Sequence, residues 1–337
     1  MKTLARHAIS LGVAALFFGC GARSAIAPSV LEERMGPNSA SAAPLIYAFD
    51  VTNESGVAGP IFNYQTQKLY GRIGGRSMNM SGICSNSQGD VFLTGSKGSG
   101  PSFTARIYKY AYGATSPSAI VKFSQGVPGG CSADPTTGDV ATVASWSAAK
   151  SFVVIFSRKF RGSPKTYEFP DESLSVGYDF SGNLFLLYRR SGSYAVAEMH
   201  KGEKKFKPIS INLPPLDQPY VIQWDGTYLA ITTFHSRHAF VTHRIYRYKI
   251  SGSRATLVGI VTFTKFDCCF VDGGTEPTWI QPNLGIMVAP VDNRSRGSGF
   301  VALGVWEYPA GGARVQTYYD VDTLAGATVA VPGTTTP

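Results

Sequence analysis

The chain has 337 residues and a formal net charge of +9, from 31 Lys and Arg against 22 Asp and Glu. The basic residues are scattered, and their one dense cluster is residues 201–207, so a nucleic-acid-binding protein is not expected. Beyond the N-terminus, no stretch approaches the ~20 uninterrupted apolar residues of a membrane-spanning helix. Together these features exclude a polytopic membrane protein.

The first residues predict an export signal. Two basic residues without an acid precede an apolar run of signal-peptide length. The run ends in Gly19-Cys20, which resembles the bacterial lipobox, where a small residue precedes the cysteine that takes the lipid. We therefore expect residues 1–19 to be a signal peptide, and Cys20 to attach an exported lipoprotein to a membrane, facing the periplasm or cell exterior. The alternative is an ordinary signal peptide cleaved near Ala27.

The segment after the signal is rich in Ala, Ser, Pro and Gly and lacks apolar periodicity. Residues 20–43 are therefore interpreted as a flexible tether. Residues 44–332 are expected to form one all-β domain, and residues 333–337 a disordered tail.

An apolar-aromatic tetrapeptide recurs six times in this domain, with starts separated by 46, 46, 43, 49 and 60 residues. The copies begin at Ile61, Ile107, Val153, Val196, Ile245 and Val305. Two of them, residues 106–110 and 244–248, are nearly identical, and each places two Tyr side chains on one strand face. Those tyrosines are expected to pack between sheets. The spacing is that of the blades of a β-propeller.

A hairpin pattern precedes five of the six copies. It reads as a short strand, an Asn or Asp turn with Gly, and an apolar strand, with the turn residues Asn86, Asp134, Asp179, Asp225 and Asn283. The side chain caps the turn and Gly supplies a positive φ. A further turn and β-prone stretch follow each tetrapeptide, whereas helical periodicity is almost absent. The prediction is an all-β, six-bladed β-propeller of four-stranded antiparallel blades.

The hairpin segments 82–94, 130–143 and 176–187 resemble those of NHL-like and SMP-30/gluconolactonase-like propellers, whose blades carry Gly-x-Ala-x-Asp-x-x-Gly-Asn-Leu-Tyr-Val. The resemblance covers nearly the whole mature chain. It implies a propeller, and it is the source of one alternative function, a metal-dependent lactonase or hydrolase.

The two ends of the domain predict how the ring closes. Residues 45–49 align with the second strand of a blade, so the first blade lacks its innermost strand. Residues 327–331 form a surplus strand after the sixth unit. We expect this C-terminal strand to complete the first blade, because closure removes two exposed sheet edges.

Four cysteines remain after Cys20, in a compartment that permits disulfides. Since adjacent cysteines rarely pair with each other, links from Cys268-Cys269 to Cys84 or Cys131 are the expected arrangement. The alternative is that Cys84 and Cys131 are buried free thiols.

Ligands of propellers usually meet the channel end reached by the loops that enter each inner strand and leave each second strand. Mapping these loops by the repeat predicts a polar channel mouth that binds a ligand. Its residues are Asp50, Asn79, Thr94, Trp146, Arg189, Gln218, His235, Glu276 and Asp292 with Asn293. The histidines at 235, 238 and 243 are expected to be solvated or to cap turns rather than to bind a metal.

No Gly-x-Ser-x-Gly elbow, Walker loop or His-Glu-x-x-His helix is present in the sequence. The leading prediction is a non-enzymatic, monomeric binding or scaffold module for a protein or glycan, without a cofactor. In the lactonase alternative, Glu276, Asp292 and Asp50 would hold a divalent cation such as Ca²⁺ that activates water.

Overall fold

The computed structural model describes residues 42–50, 57–74, 79–98, 103–147, 150–213, 217–237, 240–264, 278–292, 301–321 and 324–333. The chain divides into two units, residues 1–40 and 41–337, and every described residue belongs to the second. The predicted signal peptide, Cys20 and nearly all of the tether therefore lie outside the described residues. Where the structure is described, no helix is long and apolar enough to cross a bilayer.

The described residues form six antiparallel blades, which confirms the predicted all-β, six-bladed β-propeller. From its inner strand outward, blade 1 contains β25 (Leu324–Ala330), β1 (Leu45–Asp50), β2 (Val57–Asn63) and β3 (Leu69–Gly74). Blade 2 contains β4 (Asn79–Ser85), β5 (Val91–Lys97), β6 (Thr104–Tyr110) and β7 (Ala119–Phe123). Blade 3 contains β8 (Val127–Ala133), β9 (Val140–Ser147), β10 (Lys150–Phe156) and β11 (Lys165–Phe169).

The second half of the ring repeats this order. Blade 4 contains β12 (Glu172–Tyr178), β13 (Leu184–Arg190), β14 (Ser193–Met199) and β15 (Lys207–Ile209). Blade 5 contains β16 (Gln218–Trp224), β17 (Leu229–Arg237), β18 (Phe240–Ser251) and β19 (Arg254–Thr264). Blade 6 contains β20 (Trp279–Gln281), β21 (Ile286–Asp292), β22 (Val301–Glu307) and β24 (Gln316–Val321). A short strand, β23 (Gly312–Ala313), pairs in parallel with β19, and a one-turn 3-10 helix (Pro282–Leu284) joins β20 to β21.

The core lies between neighbouring blades. Tyr108 and Tyr110 of β6 are buried, as are Tyr246 and Tyr248 of β18, so the repeated tyrosines pack between sheets as predicted. Burial raises the pKa of Tyr110 and of Tyr248 above that of a solvated phenol. Their hydroxyls donate to backbone carbonyls, so each ring is buried without leaving its polar atom unsatisfied.

The C-terminal strand closes the ring, as predicted. β25 pairs antiparallel with β1, with Leu45 opposite Ala330 and Tyr47 opposite Thr328. β25 also contacts blade 2, where the Ser85 hydroxyl donates to the Val329 carbonyl at 2.8 Å. The last strand thus binds the first two blades together.

A disulfide joins Cys84 of β4 to Cys131 of β8, with the two Cα atoms 5.6 Å apart. Both expectations for these cysteines, a link to Cys268-Cys269 and two free thiols, are therefore wrong. The physical reason is that inner strands of adjacent blades lie side by side, so residues about one blade apart in sequence come into bonding range. Cys268 and Cys269 lie outside the described residues.

Candidate functional site

The propeller has two rims that differ in their connections. Because strands alternate in direction within a blade, all inner strands begin, and all second strands end, at one rim, which we call the mouth rim. At the opposite rim, turns connect the third strand of each blade to the fourth and, in blades 2 to 6, the first strand to the second. We call this opposite side the turn rim.

The predicted mouth residues fall at strand ends on the mouth rim. Asn79 and Gln218 are the exposed first residues of β4 and β16. Trp146 lies one residue before the end of β9, and Arg189 one residue before the end of β13. Thr94 is different, because it is fully buried and its hydroxyl donates to the Gly129 carbonyl at 2.6 Å. Thr94 therefore supports packing between blades and does not face a ligand.

Three further residues predicted at the mouth are described only by the position of their backbone. Asp50 ends β1, Asp292 ends β21, and His235 lies near the end of β17, all on the mouth rim. Their side chains are outside the described set. Glu276 lies outside the described residues altogether. The cation site predicted from Asp50, Glu276 and Asp292 therefore stays a prediction.

An aromatic step crosses the mouth rim where blades 2 and 3 meet. Trp146 of blade 3 is 53% exposed, and its ring centroid lies 5.1 Å from that of Phe103, which precedes β6 of blade 2. Val127, the first residue of β8, is 49% exposed on the same rim and pairs with Ser145, the residue before Trp146. We call Phe103, Val127 and Trp146 the aromatic step. It exposes apolar surface to solvent at a position where polar side chains would stay hydrated without a desolvation penalty.

A glycine shapes this step. Gly126 has φ +118°, and a Cβ there would lie 2.8 Å from the backbone nitrogen of Trp146. Only glycine lets the chain turn into β8 so close to the backbone of Trp146. The position of the aromatic step is thus set by the backbone of blade 3.

Two ion pairs lie on the mouth rim of blade 4. Arg189 donates to Glu172 with its Nε at 2.7 Å, and Arg190 donates to Asp171 with its Nε at 2.8 Å. The hydrogen bonds that the arginines donate to these carboxylates raise the pKa of both arginines. Arg189 is therefore a charged group of defined orientation, although much of its charge is already matched by Glu172.

A polar cluster lies beneath the mouth rim of blade 5 and was missed from the sequence. Asp217 is buried, and its Oδ2 accepts hydrogen bonds from Tyr246 at 2.5 Å and from Thr233 at 3.3 Å. The hydroxyl of Tyr220 lies 3.2 Å from Nδ1 of buried His243. The prediction that His243 is solvated or caps a turn is wrong: burial lowers its pKa to about 3, so the ring is neutral.

The turn rim uses its acids structurally, as predicted. The Asp179 carboxylate accepts the backbone N–H groups of Ser181 and Asn183, each at 2.8 Å. Asp225 caps its turn and also accepts from Arg247 Nε and the Tyr308 hydroxyl, both at 2.6 Å. Burial opposes ionisation of Asp225, but these hydrogen bonds outweigh it and lower its pKa.

No group of three or more His, Cys, Asp or Glu side chains suited to a metal occurs within the described part of the chain. The cation site of the lactonase alternative would use Asp50, Glu276 and Asp292, whose side chains are not among those described. The described part of the mouth rim contains the exposed aromatic step and the two ion pairs of blade 4.

This architecture defines the protein as a six-bladed β-propeller. Neither a family model nor a curated protein sequence matches the chain. Solved structures with the same fold include TolB from Acinetobacter baumannii, with 10% identity and a TM-score of 0.55 over 86% of this chain and 66% of that one. The chain thus spans about two thirds of that TolB.

Two more structures share the fold over most of their own length. A functionally unknown protein from Desulfotomaculum acetoxidans has 10% identity and a TM-score of 0.56, covering 86% of this chain and 99% of that one. A proposed 6-phosphogluconolactonase from Bacteroides uniformis has 12% identity and a TM-score of 0.52, covering 83% of each chain. These likenesses support a β-propeller, and none of them supports the NHL-like or SMP-30-like family in particular.

Proposed function

We propose that this protein is an exported lipoprotein, attached to a membrane through Cys20, whose propeller binds a partner protein at the mouth rim. The observation that carries the binding role is the aromatic step. Trp146 and Val127 keep about half of their surface in solvent. An exposed apolar cluster with a polar surround is typical of a protein interaction site.

Export has two supports. The first is the N-terminal sequence, with its basic start, apolar run and Gly19-Cys20. The second is the disulfide between Cys84 and Cys131, because disulfides form and persist mainly in oxidising compartments outside the cytoplasm.

A protein partner fits the aromatic step better than a glycan does. Trp and Arg are the residues most enriched among those that dominate the free energy of protein–protein binding. Here Trp146 lies on the same rim as Arg189 and Arg190. Sugar rings usually stack on a flat aromatic face, whereas the Phe103 and Trp146 rings are inclined at 58° and present a wedge.

Photo-crosslinking tests the proposal while leaving Trp146 intact. A photoreactive residue at position 127, introduced into the full chain in its native cell, should give a discrete adduct with one protein. The matched control is position 120 on the outer strand β7, where Ile120 is 50% exposed and equally apolar. An adduct equally strong from both positions would contradict a specific site.

The contribution of Trp146 is then measured with the purified partner. Trp146→Ala should weaken binding about 30-fold, since truncating a central aromatic anchor costs about 2 kcal/mol or more. Unchanged affinity overturns the proposal.

A stoichiometric divalent cation in the purified protein, together with lactone hydrolysis, would replace it with the enzyme alternative. Selective binding to a glycan array would name a glycan instead.

A further inference from the structure

The turn rim carries a concentration of exposed cations on two neighbouring blades. They lie in and next to the turns that join the third and fourth strands of blades 3 and 4. These residues are Arg158, Lys159, Arg161, Lys165, Lys201, Lys204, Lys205 and Lys207, and all are exposed. We call this set the basic turns.

The acids near the basic turns are largely occupied. Asp134 and Asp179 are buried and accept hydrogen bonds from their own turns. Glu198 is buried against His200, and Glu203 pairs with Lys207 at 2.6 Å. Asp139 is partly exposed and accepts the backbone N–H of Arg158. Among the described carboxylates, none forms an ion pair with Lys204 or Lys205, so this side of the rim presents excess positive charge.

An exposed aromatic ring lies on the same rim as these cations. Phe180 follows the capping Asp179 in the first turn of blade 4, and 58% of its surface is in solvent, the largest fraction among the exposed large apolar side chains of the described residues. An exposed phenyl ring on the same rim as a cluster of lysines is typical of surfaces that enter the boundary between lipid headgroups and acyl chains.

The chain joins the propeller at this same rim. β1 is a second strand, and second strands begin at the turn rim, so Leu45 lies there. The residues just before it are held in place, because the Tyr112 hydroxyl donates to the Ala43 carbonyl and the Tyr64 N–H donates to the Pro44 carbonyl. The first described residues of the chain therefore lie on the turn rim.

We infer that the basic turns and Phe180 dock on an anionic membrane surface, which turns the mouth rim away from the bilayer. The inference rests on the proposed anchoring at Cys20. Lysines near an anionic surface each add to membrane affinity, and a polybasic patch serves as a second signal beside a lipid chain. Docking would leave the aromatic step open to a soluble or opposing partner.

Lysine reactivity on vesicles tests this orientation in the full protein. The purified protein, with the N-terminus its native cell produces, is bound to phosphatidylcholine vesicles with or without phosphatidylglycerol, and its lysines are acylated and quantified by mass spectrometry. Lys201, Lys204 and Lys205 should react about fivefold more slowly or less on the anionic vesicles at low salt. Lys97 and Lys122, which lie off the turn rim, should react at the same rate on both.

Matched variants separate the effect of the charges in the basic turns from the effect of removing two positive charges elsewhere on the protein. Lys204→Gln with Lys205→Gln, and separately Phe180→Ser, should reduce the protection of Lys201 on anionic vesicles. Lys97→Gln with Lys122→Gln removes the same charge elsewhere and should leave that protection unchanged.

Equal lysine rates on the two kinds of vesicle overturn the inference. So does protection by a single-stranded oligonucleotide but not by vesicles, because the basic turns would then bind nucleic acid. The mass of the N-terminal peptide reports the lipid on Cys20 independently. A protein without lipid whose basic turns are still protected breaks the anchoring proposal alone, whereas a lipidated protein without protection breaks only the docking.

Discussion

The polar residues of the turn rim and those of the mouth rim differ in burial and in hydrogen bonding. On the turn rim, the carboxylates of Asp134, Asp179 and Asp225 are buried and accept hydrogen bonds within the fold. On the mouth rim, Trp146 is 53% exposed and the Arg189 side chain is 44% exposed. The acids of the repeated motif therefore accept hydrogen bonds within the fold, while the exposed Trp146 and Arg189 lie where the repeat varies.

This contrast has a physical basis. A tight hairpin needs an acceptor for its free N–H groups, so five of the six blades have Asn or Asp at that turn. The loops at the mouth rim are free of this demand, and their side chains can differ from blade to blade. The following substitutions test whether the capping acids of the turn rim stabilise the fold more than the exposed side chains of the mouth rim do.

The largest effect should come from removing the strand that holds the whole ring together. Deleting residues 326–337 removes most of β25, including the fully buried Ala327, Thr328 and Val329. Without it, β1 and β4 lose their partner and the ring opens, so the cooperative thermal transition should disappear. Circular dichroism melts measure this. The closure argument fails if the shortened chain melts like the intact one, and a chain lacking only residues 334–337 is the control.

A large loss of stability is also expected at the turn rim. Asp225→Ala removes the acceptor for Arg247 and Tyr308 and leaves a partly buried guanidinium unpaired. We expect the free energy of unfolding to fall by about 3 kcal/mol. Urea denaturation measures it. Asp225→Asn, which can still cap the turn, should lose less, and a loss below about 1 kcal/mol for the alanine variant would show that this acid is not structural.

A smaller, pH-dependent loss is expected beneath the mouth rim. The pKa of His243 is about 3 in the folded protein, against 6.5 for an unperturbed histidine, so between these values the unfolded chain binds a proton that the folded chain does not. Stability should therefore fall as pH drops below 6.5, by up to about 1.4 kcal/mol per pH unit.

Urea denaturation at pH 7, 6 and 5 measures that slope. His243→Gln should flatten it. Tyr220→Phe should retain it, because burial rather than the Tyr220 hydrogen bond lowers the pKa of His243. An identical slope in the wild type and the glutamine variant would contradict the assignment.

The smallest stability effect is expected at the aromatic step. Trp146→Ala should change the free energy of unfolding by only about 0.5 kcal/mol, since this side chain is half exposed. Trp306 is the matched opposite, because it is fully buried and Trp306→Ala should cost about 4 kcal/mol. Thermal unfolding compares the two variants. If both lost equal stability, Trp146 would be a packing residue and not a binding one.

Local signals explain why the fold could be predicted in detail. The Asn or Asp and Gly of each hairpin act within a few residues, and the tetrapeptides repeat at blade spacing, so four strands per unit follow without knowledge of distant contacts. Ring closure followed from counting, because residues 45–49 lacked an inner partner and residues 327–331 were surplus.

Contacts between blades explain what could not be predicted. The bond between Cys84 and Cys131 depends on how two inner strands align, and the period of the repeat does not specify that alignment to the residue. Asp217 and His243 look like ordinary loop and strand residues until neighbouring sheets bury them. The repeat maps Thr94 to the mouth rim, whereas contact with Gly129 of the next blade buries it.

By itself the amino-acid sequence determined the six four-stranded blades, the capped hairpins and the closing strand, because turn chemistry and side-chain alternation act over short distances along the chain. Only the tertiary structure decided which cysteines bond, which polar groups are buried, and that Phe103 meets Trp146 at the mouth rim. Those outcomes depend on how closely adjacent sheets pack, which no single blade encodes.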